Sequence, residues 1–337
     1  MSTSGQVGRY LSHVHNFRGF AIILIIITHC ISVFDWSNAP VLALFLKRLV
    51  ANGTIFFLFI AGYLFQHLSA RYRVGDYLWR KFKYVVVPYV VVSTPGLLLF
   101  TLFMERPDMP SGFYDKAVSE QVVFFMLTGS HLAPFWFIPT VIVFYVASPL
   151  LHWLDRQPLF YYSLPMLMVI PLYVSRGYLN PVQSFVHFVP VWVLGMACSR
   201  YRETAGRWLE ASFWFLVSLA AALLALEMLL AKGTHSWYSS ISKIAVTLVL
   251  FALFMRLGPR GDRLFGLAGT LSFGLFFLHS YLISAGKIAL ERVLGGLPAG
   301  SLLGFIVVSA LAVTGSIGLV SVVRRVLGRH SRVLIGV

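Results

Sequence analysis

The residues best suited to chemistry lie in the stretch His15-Asn-Phe-Arg18-Gly-Phe-Ala-Ile-Ile-Leu-Ile-Ile-Ile-Thr-His29. An imidazole takes and returns protons near neutral pH. A guanidinium grips a planar anion with two parallel hydrogen bonds. Arg18 and His29 stand eleven residues apart. At about 100° per residue this is close to three helical turns, so both share one face, about 16 Å apart along the axis. Ionisable groups within so apolar a run are costly, and by default they mark function. A plainer reading stays open, in which Arg18 snorkels to the interface and His29 hydrogen-bonds to a neighbouring helix.

A second deep histidine is His279, in Leu271-Ser-Phe-Gly-Leu-Phe-Phe-Leu-His279-Ser280-Tyr281. It lies fifteen residues into its apolar run, counted from 264, as His29 does counted from 14. The two imidazoles therefore reach a similar depth and can share one cavity, or each is satisfied separately in packing. The run Arg80-Lys81-Phe82-Lys83 precedes Pro88-Tyr89. Arg80 and Lys83, three apart, project from one side of a helix start. They suit a phosphorylated ligand, although an ordinary charged flank or an anionic-lipid contact explains them as well. Trp136, in Pro134-Phe-Trp136-Phe-Ile-Pro139, stands at the outer mouth of a span, where belt anchoring is the simpler role. Glu227 and His187 lie near outer ends, His67 near an inner one, and Gly62 suits a close helix contact. Gly295-Gly296 follows no strand and carries no nucleotide signal. Cys30 and Cys198 read as buried thiols, and no metal-ligand spacing is present.

The elements that must hold these groups follow from composition. Of 337 residues, 58% are hydrophobic and 12% charged, with a mean hydropathy of +0.80. Soluble domains carry about 25% charged residues. There is too little polar material for a water-facing skin, which excludes a cytosolic globule and also disorder. About 20 apolar residues cross a bilayer as a helix. On that ruler ten spans emerge: 14–34, 44–69, 82–104, 134–153, 159–175, 184–200, 208–231, 239–257, 264–286 and 300–323. The second starts irregularly, at Lys47, Arg48, Asn52 and Gly53. The fifth is short and holds Pro165 and Pro171, which predicts a kink or break. The connection 105–133 is the long one, with an apolar patch at 121–127 suited to the interface.

The fold class expected is all-α, a polytopic membrane helix bundle of about ten transmembrane helices. Its 27 Lys and Arg against 12 Asp and Glu give a net charge of +15. Alternating the loops puts 18 basic residues on one side, Arg9 and Arg18 included, and 9 on the other. The rich side is cytoplasmic by the positive-inside rule, and an even span count puts both termini there. The charge is thus a statement of topology and not of a nucleic-acid partner. No cleavable signal is visible, so the first apolar run is read as a retained span. One domain covers 1–337, with a short basic cytoplasmic tail from about 324.

The chain resembles the acyltransferase-3 family of bacterial inner-membrane proteins. The resemblance rests on Arg18, ten residues and His29. It rests also on Phe56-Phe57…Gly62-Tyr63, on Trp136-Phe137-Ile138-Pro139 and on Ser272-Phe-Gly…His279. The family's paired cytoplasmic arginines are met as Arg80…Lys83, a departure that keeps the charge and loses the fork. The form expected is the stand-alone one, without the periplasmic esterase-like domain. The resemblance implies transfer of an acyl group, acetyl foremost, from cytoplasmic acyl-CoA to a hydroxyl of an extracytoplasmic sugar, polysaccharide or lipid-linked glycan. Acyl-CoA would serve as co-substrate, with no bound cofactor or metal. His29 and Arg18 would be catalytic, His29 as general base or as acyl carrier. Arg80, Lys81 and Lys83 would bind the donor phosphates. His279, Ser272, Tyr281 and Trp136 would face the oxyanion or the acceptor. Partners would be acyl-CoA, the glycan acceptor and membrane lipids. The rival function is a transporter or flippase of a lipid-linked sugar or polysaccharide, in which the deep histidines would line a path.

Overall fold

The computed structural model of the protein describes residues 11–51, 53–230 and 237–337. Arg9, Asn52 and Lys232, each weighed above, lie outside the described residues. The helices in chain order are α1 (Ser12–Cys30), α2 (Pro40–Val50), α3 (Gly53–His67), α4 (Val74–Lys81), α5 (Val87–Leu98), α6 (Val118–Thr128), α7 (Phe137–Val146), α8 (Ser148–Asp155), α9 (Leu164–Leu167) and α10 (Ile170–Tyr173). They continue as α11 (Pro181–Arg200), α12 (Arg202–Ala211), α13 (Phe213–Leu230), α14 (Trp237–Leu257), α15 (Asp262–Thr270), α16 (Ser272–Leu294), α17 (Leu302–Leu327) and α18 (Ser331–Leu334). Among the described residues there is no strand, only an isolated bridge between Asp35 and Ala299. The all-helical expectation holds.

Among the described residues, eight helical segments are long and apolar enough to cross a membrane, and a bent pair, α7 and α8, makes a ninth if counted as one span. The pair turns by 55° at Ala147, just before Pro149. Proline has no N–H for the preceding turn and crowds its carbonyl. The stretch expected as a fifth span, 159–175, is broken into a 3-10 turn, α9 and α10 and falls among the shorter apolar helices. Pro165 and Pro171 open its two short helices, so the break follows the prolines. Its ends lie far apart in the bundle: Tyr161 packs on Tyr201 beside α12, while the Pro171 carbonyl accepts from Ser240 at the start of α14. The ninth expected span, 264–286, also differs. α15 ends at Thr270, and the long helix runs from Ser272 to Leu294.

α1 is the hub, packed against α2, α3, α14, α15, α16 and α17. Phe17, Ile22 and Ile26 on it are fully buried. By contrast, α17 leaves Leu302, Leu303, Ile306 and Leu311 open on its outer face, a stripe that only hydrocarbon could cover. Association inside lipid has no hydrophobic drive, so close backbone contact over small residues carries it. α3 and α11 meet in this way. A Cβ on Gly62 would overlap the Trp192 carbonyl oxygen, and one on Gly195 the Phe59 carbonyl oxygen. The close contact expected of Gly62 is present.

The connection before α7 is packed rather than loose. α6 closes on Gly129 in the left-handed region, φ 69°, where Phe135 backbone crowds it. Phe113 inserts between Phe124 and Phe125. His131 is fully buried, and burial holds it near pKa 4, hence neutral. The apolar patch at 121–127 thus has one buried face, with Gln121 and Phe125, while Val123 and Leu127 stay exposed.

Gly62→Leu should lower the detergent melting midpoint by several degrees, since overpacking costs about 1–3 kcal/mol and here meets backbone. Gly286→Leu, where a Cβ meets nothing within 4 Å, serves as the control. Equal melting of the two variants would remove the α3–α11 contact as a stability determinant.

Candidate functional site

α1 and the α15–α16 pair run side by side in constant register. His15 Nε2 donates to the Gly266 carbonyl at 2.9 Å, an offset of 251 positions. Arg18 Nη2 donates to the Gly269 carbonyl at 2.7 Å, again an offset of 251. The His29 and His279 rings follow, 250 positions apart, with centroids 5.3 Å apart and planes tilted by 43°. Arg18 and His29 therefore face the same neighbour, as their spacing required. The equal-depth argument for the two histidines also holds. It holds because α15 accompanies the start of α1, not because the spans begin at equivalent points.

Local sequence explains the Arg18 seat. A helix leaves its last carbonyls without intrahelical donors and carries partial negative charge there. α15 ends at Thr270, so the Gly269 carbonyl is such a group, and the guanidinium is drawn to it. Glycine at 269 is needed for the approach, since a Cβ would meet the His15 carbonyl at 2.7 Å and its ring at 2.8 Å. A Cβ on Gly19 would overlap the Phe265 carbonyl oxygen. His15 Nδ1 accepts from Arg18 at 3.4 Å, completing a small network around the guanidinium.

His279 is fully buried. Its Nδ1 donates to the Leu275 carbonyl at 2.7 Å, which leaves Nε2 as a bare acceptor with no partner among the described residues. His29 stands in the last turn of α1, nearer that end of its span than expected, and its side chain is half-buried. No described cluster of three His, Cys, Asp or Glu could hold a metal. The pair is thus two imidazoles in an apolar wall of Phe276, Phe135 and Phe137. Such a pair can accept and relay a proton where water is scarce.

The other expected residues divide. Lys81 turns inward: its ammonium lies 4.6 Å from the Tyr145 ring centre and 5.2 Å from that of Tyr77, close enough to Arg18 for the like charges to interact. Arg80 is exposed. Lys83 stands 5.6 Å from the Tyr84 ring, which Arg332 also covers. Between the two, the helix widens into the π turn Phe82–Val86. Pro88 has no N–H for the Tyr84 carbonyl, and a π turn is one way a helix absorbs that loss.

Ser272 lies seven residues before His279, about 10 Å down the helix, so it stands about one turn from the Arg18 level and not beside the imidazoles. The Tyr281 hydroxyl is committed to the Val92 carbonyl at 2.6 Å, a tie between α16 and α5. Trp136 is set off from the pair by Phe137 and Phe276. Its indole instead stacks under Arg176, 4.2 Å from the guanidinium carbon. Cys30 and Cys198 are buried, as expected.

The profile of the acyltransferase-3 family, described as an acyltransferase domain, matches residues 13–321, and the chain belongs to that family. No curated protein and no solved structure matches the chain. Membership makes it an acyltransferase, and its apolar helices make it a multi-pass membrane protein.

Arg18→Ala should lower stability by about 1.5–3 kcal/mol, the worth of a charge-assisted hydrogen bond, with Arg18→Lys falling in between. Melting of both variants in detergent reads this out. An unchanged midpoint for the alanine variant would mean that α15 does not depend on the Arg18 tie.

Proposed function

We propose that this acyltransferase moves an acyl group, acetyl foremost, from cytoplasmic acyl-CoA to a hydroxyl of an extracytoplasmic glycan, in the bacterial inner membrane. The observation that carries the reading is the pairing, on one face of the buried central helix, of an anion-gripping end at Arg18 with an imidazole pair at His29 and His279. The donor has phosphates at one end and a reacting carbonyl at the other, joined by an extended arm. The separation of about 16 Å along α1 suits such a molecule. Its phosphates would meet Arg18 and Lys81, with Arg80 and Lys83 as an outer collar.

A sugar hydroxyl has a pKa far above 7, so its attack on a thioester needs a base. His29 takes the hydroxyl proton as the oxygen bonds to the acyl carbon. The C–S bond then breaks, and the proton passes to the departing thiolate. The bare Nε2 of His279 orients His29 by accepting from its ring N–H once the site closes. Alternatively His29 bears the acyl group between two transfers. An acceptor outside and a donor inside require the two ends of α1 to face opposite sides. We read ten spans with both termini cytoplasmic, because 18 of the 27 basic residues then fall inside. In that count α7–α8 is one span and the broken stretch 159–175 another.

His29→Ala should cut O-acylation of surface glycan about 10²–10⁴-fold, seen by NMR, with glycan of normal length still exported. Loss of the polymer itself would favour transport. The His29→Ala/His279→Ala double variant should lose little beyond the single one, as residues acting as a unit do. Additive losses would separate the two histidines.

The donor contacts are tested apart. Lys81→Ala should weaken acetyl-CoA binding to purified protein about tenfold or more, less so at high salt, while exposed Arg80→Ala has a smaller effect. The reverse order would move the phosphates to the outer collar.

A further inference from the structure

At the opposite end of the bundle from Arg18 lies a cavity of about 200 Å³. Its position follows from contacts. Thr28 Oγ1, next to His29, donates to the Val50 carbonyl, and Ala51 and Thr54 line the cavity. Its polar wall comes from four places far apart in sequence: Trp136 before α7, Arg176 after α10, His187 on α11, and Ser240 and Lys243 on α14.

The charge of this wall is lopsided. Arg176 and Lys243 are both half-buried, and the Lys243 charge is acted on by those of Arg176 and Arg48. One described carboxylate, Glu227, acts on Lys243 in the opposite sense. No salt bridge joins Arg176 or Lys243 to an acid among the described residues. His187 adds a ring whose Nδ1 donates to the Val174 carbonyl at 2.6 Å. Several cations withdrawn from water against a single carboxylate are costly. A helix bundle that gathers them at one concave place is built to receive an anion. The second component is the indole of Trp136. It is stacked against Phe188 and covered by Arg176, and it lines the cavity as an apolar edge held beside the guanidinium.

The geometry points to an acceptor subsite here that takes an acidic sugar unit, its carboxylate held by Arg176 and Lys243 and its ring beside the edge of Trp136. This rests on the acyl-transfer reading for its purpose, since it names the acceptor's chemical class. Two phenylalanine rings in series, Phe137 and Phe276, separate the indole from the imidazole pair. An acidic unit anchored here would leave a later unit of the glycan to present its hydroxyl at His29. An anionic phospholipid headgroup offers the same charge, and the test must tell the two apart.

The test uses the full chain in phosphatidylcholine nanodiscs, with a trisaccharide containing glucuronic acid as probe and its carboxyl-reduced counterpart as control. Binding is followed by tryptophan fluorescence, without acyl-CoA. The acidic trisaccharide should bind at least tenfold tighter than the reduced one. Arg176→Gln should abolish that preference, and Arg176→Lys should restore part of it. Acetyl-CoA binding should be unchanged in both. Equal binding of the two trisaccharides by the unaltered protein would overturn the proposal and needs no variant to fold. So would an Arg176→Gln effect confined to retention of phosphatidylglycerol over phosphatidylcholine, which would assign the site to a lipid headgroup. The outcomes separate from those of the acyl-transfer reading. His29→Ala should keep the acidic preference in binding. Acyl transfer that ignores the carboxylate defeats this subsite alone, while a binding preference without any transfer defeats the acyl-transfer reading alone.

Discussion

The rest of the molecule depends on the way α1 is held at its centre. A helix surrounded by six others, carrying an arginine and three histidines, has no water for its polar groups. Each must find a protein partner, and at the α15 end the partners are backbone carbonyls. α15 stops at Thr270, which bares the Gly269 carbonyl, and the Gly19 and Gly269 contacts let the two backbones come close enough for Arg18 to reach it. That seat fixes the rotation and the height of α1 together. Once both are fixed, the register runs on without slip, and the imidazole eleven residues later meets the one on α16.

The polar groups left over are then informative. In lipid-buried protein an unsatisfied acceptor is not a neutral detail, because no solvent compensates for it. His279 Nε2 is such an atom, while the Tyr281 hydroxyl, equally attractive in sequence, is already spent on holding α16 to α5. Lys81 meets two tyrosine rings rather than a carboxylate. Its charge is stabilised by ring faces, a weaker hold than an ion pair and one that an incoming phosphate can replace.

Much of this was legible in the sequence, for reasons that differ by residue. The shared face of Arg18 and His29 follows from helix periodicity alone, and the structure keeps it because α1 is an unbroken helix. The pairing of the histidines was legible only as an equality of depth. Its basis, the parallel run of α15 beside α1, is a tertiary fact. The widening at Phe82–Val86 was not legible from the spacing of Arg80 and Lys83, which assumes 3.6 residues per turn, while Pro88 was its available signal. Arg176, Lys243 and Trp136 were invisible as a set because nothing in a sequence says that positions 136, 176 and 243 meet. The available signal was weaker: Arg176 and Lys243 are charged groups at the ends of apolar runs on the charge-poor side, where each needs a reason to be present.

The two ends of α1 also differ in kind, and that difference has a direction. Around Arg18 the cations are held by backbone carbonyls and ring faces, beside a helix end whose dipole favours positive charge. Around Trp136 they gather against a single described carboxylate, Glu227. A bundle with the same kind of group at both ends would serve equally well as a path for a single charged solute. Here one end suits a ligand whose charge stays at the mouth while an uncharged arm reaches inward. The other sets cations beside an indole edge. Between them, among the described residues, stands a pair of imidazoles walled by phenylalanine. Unlike ends joined through an apolar wall suit the proposed meeting of two different molecules better than the passage of one charged solute.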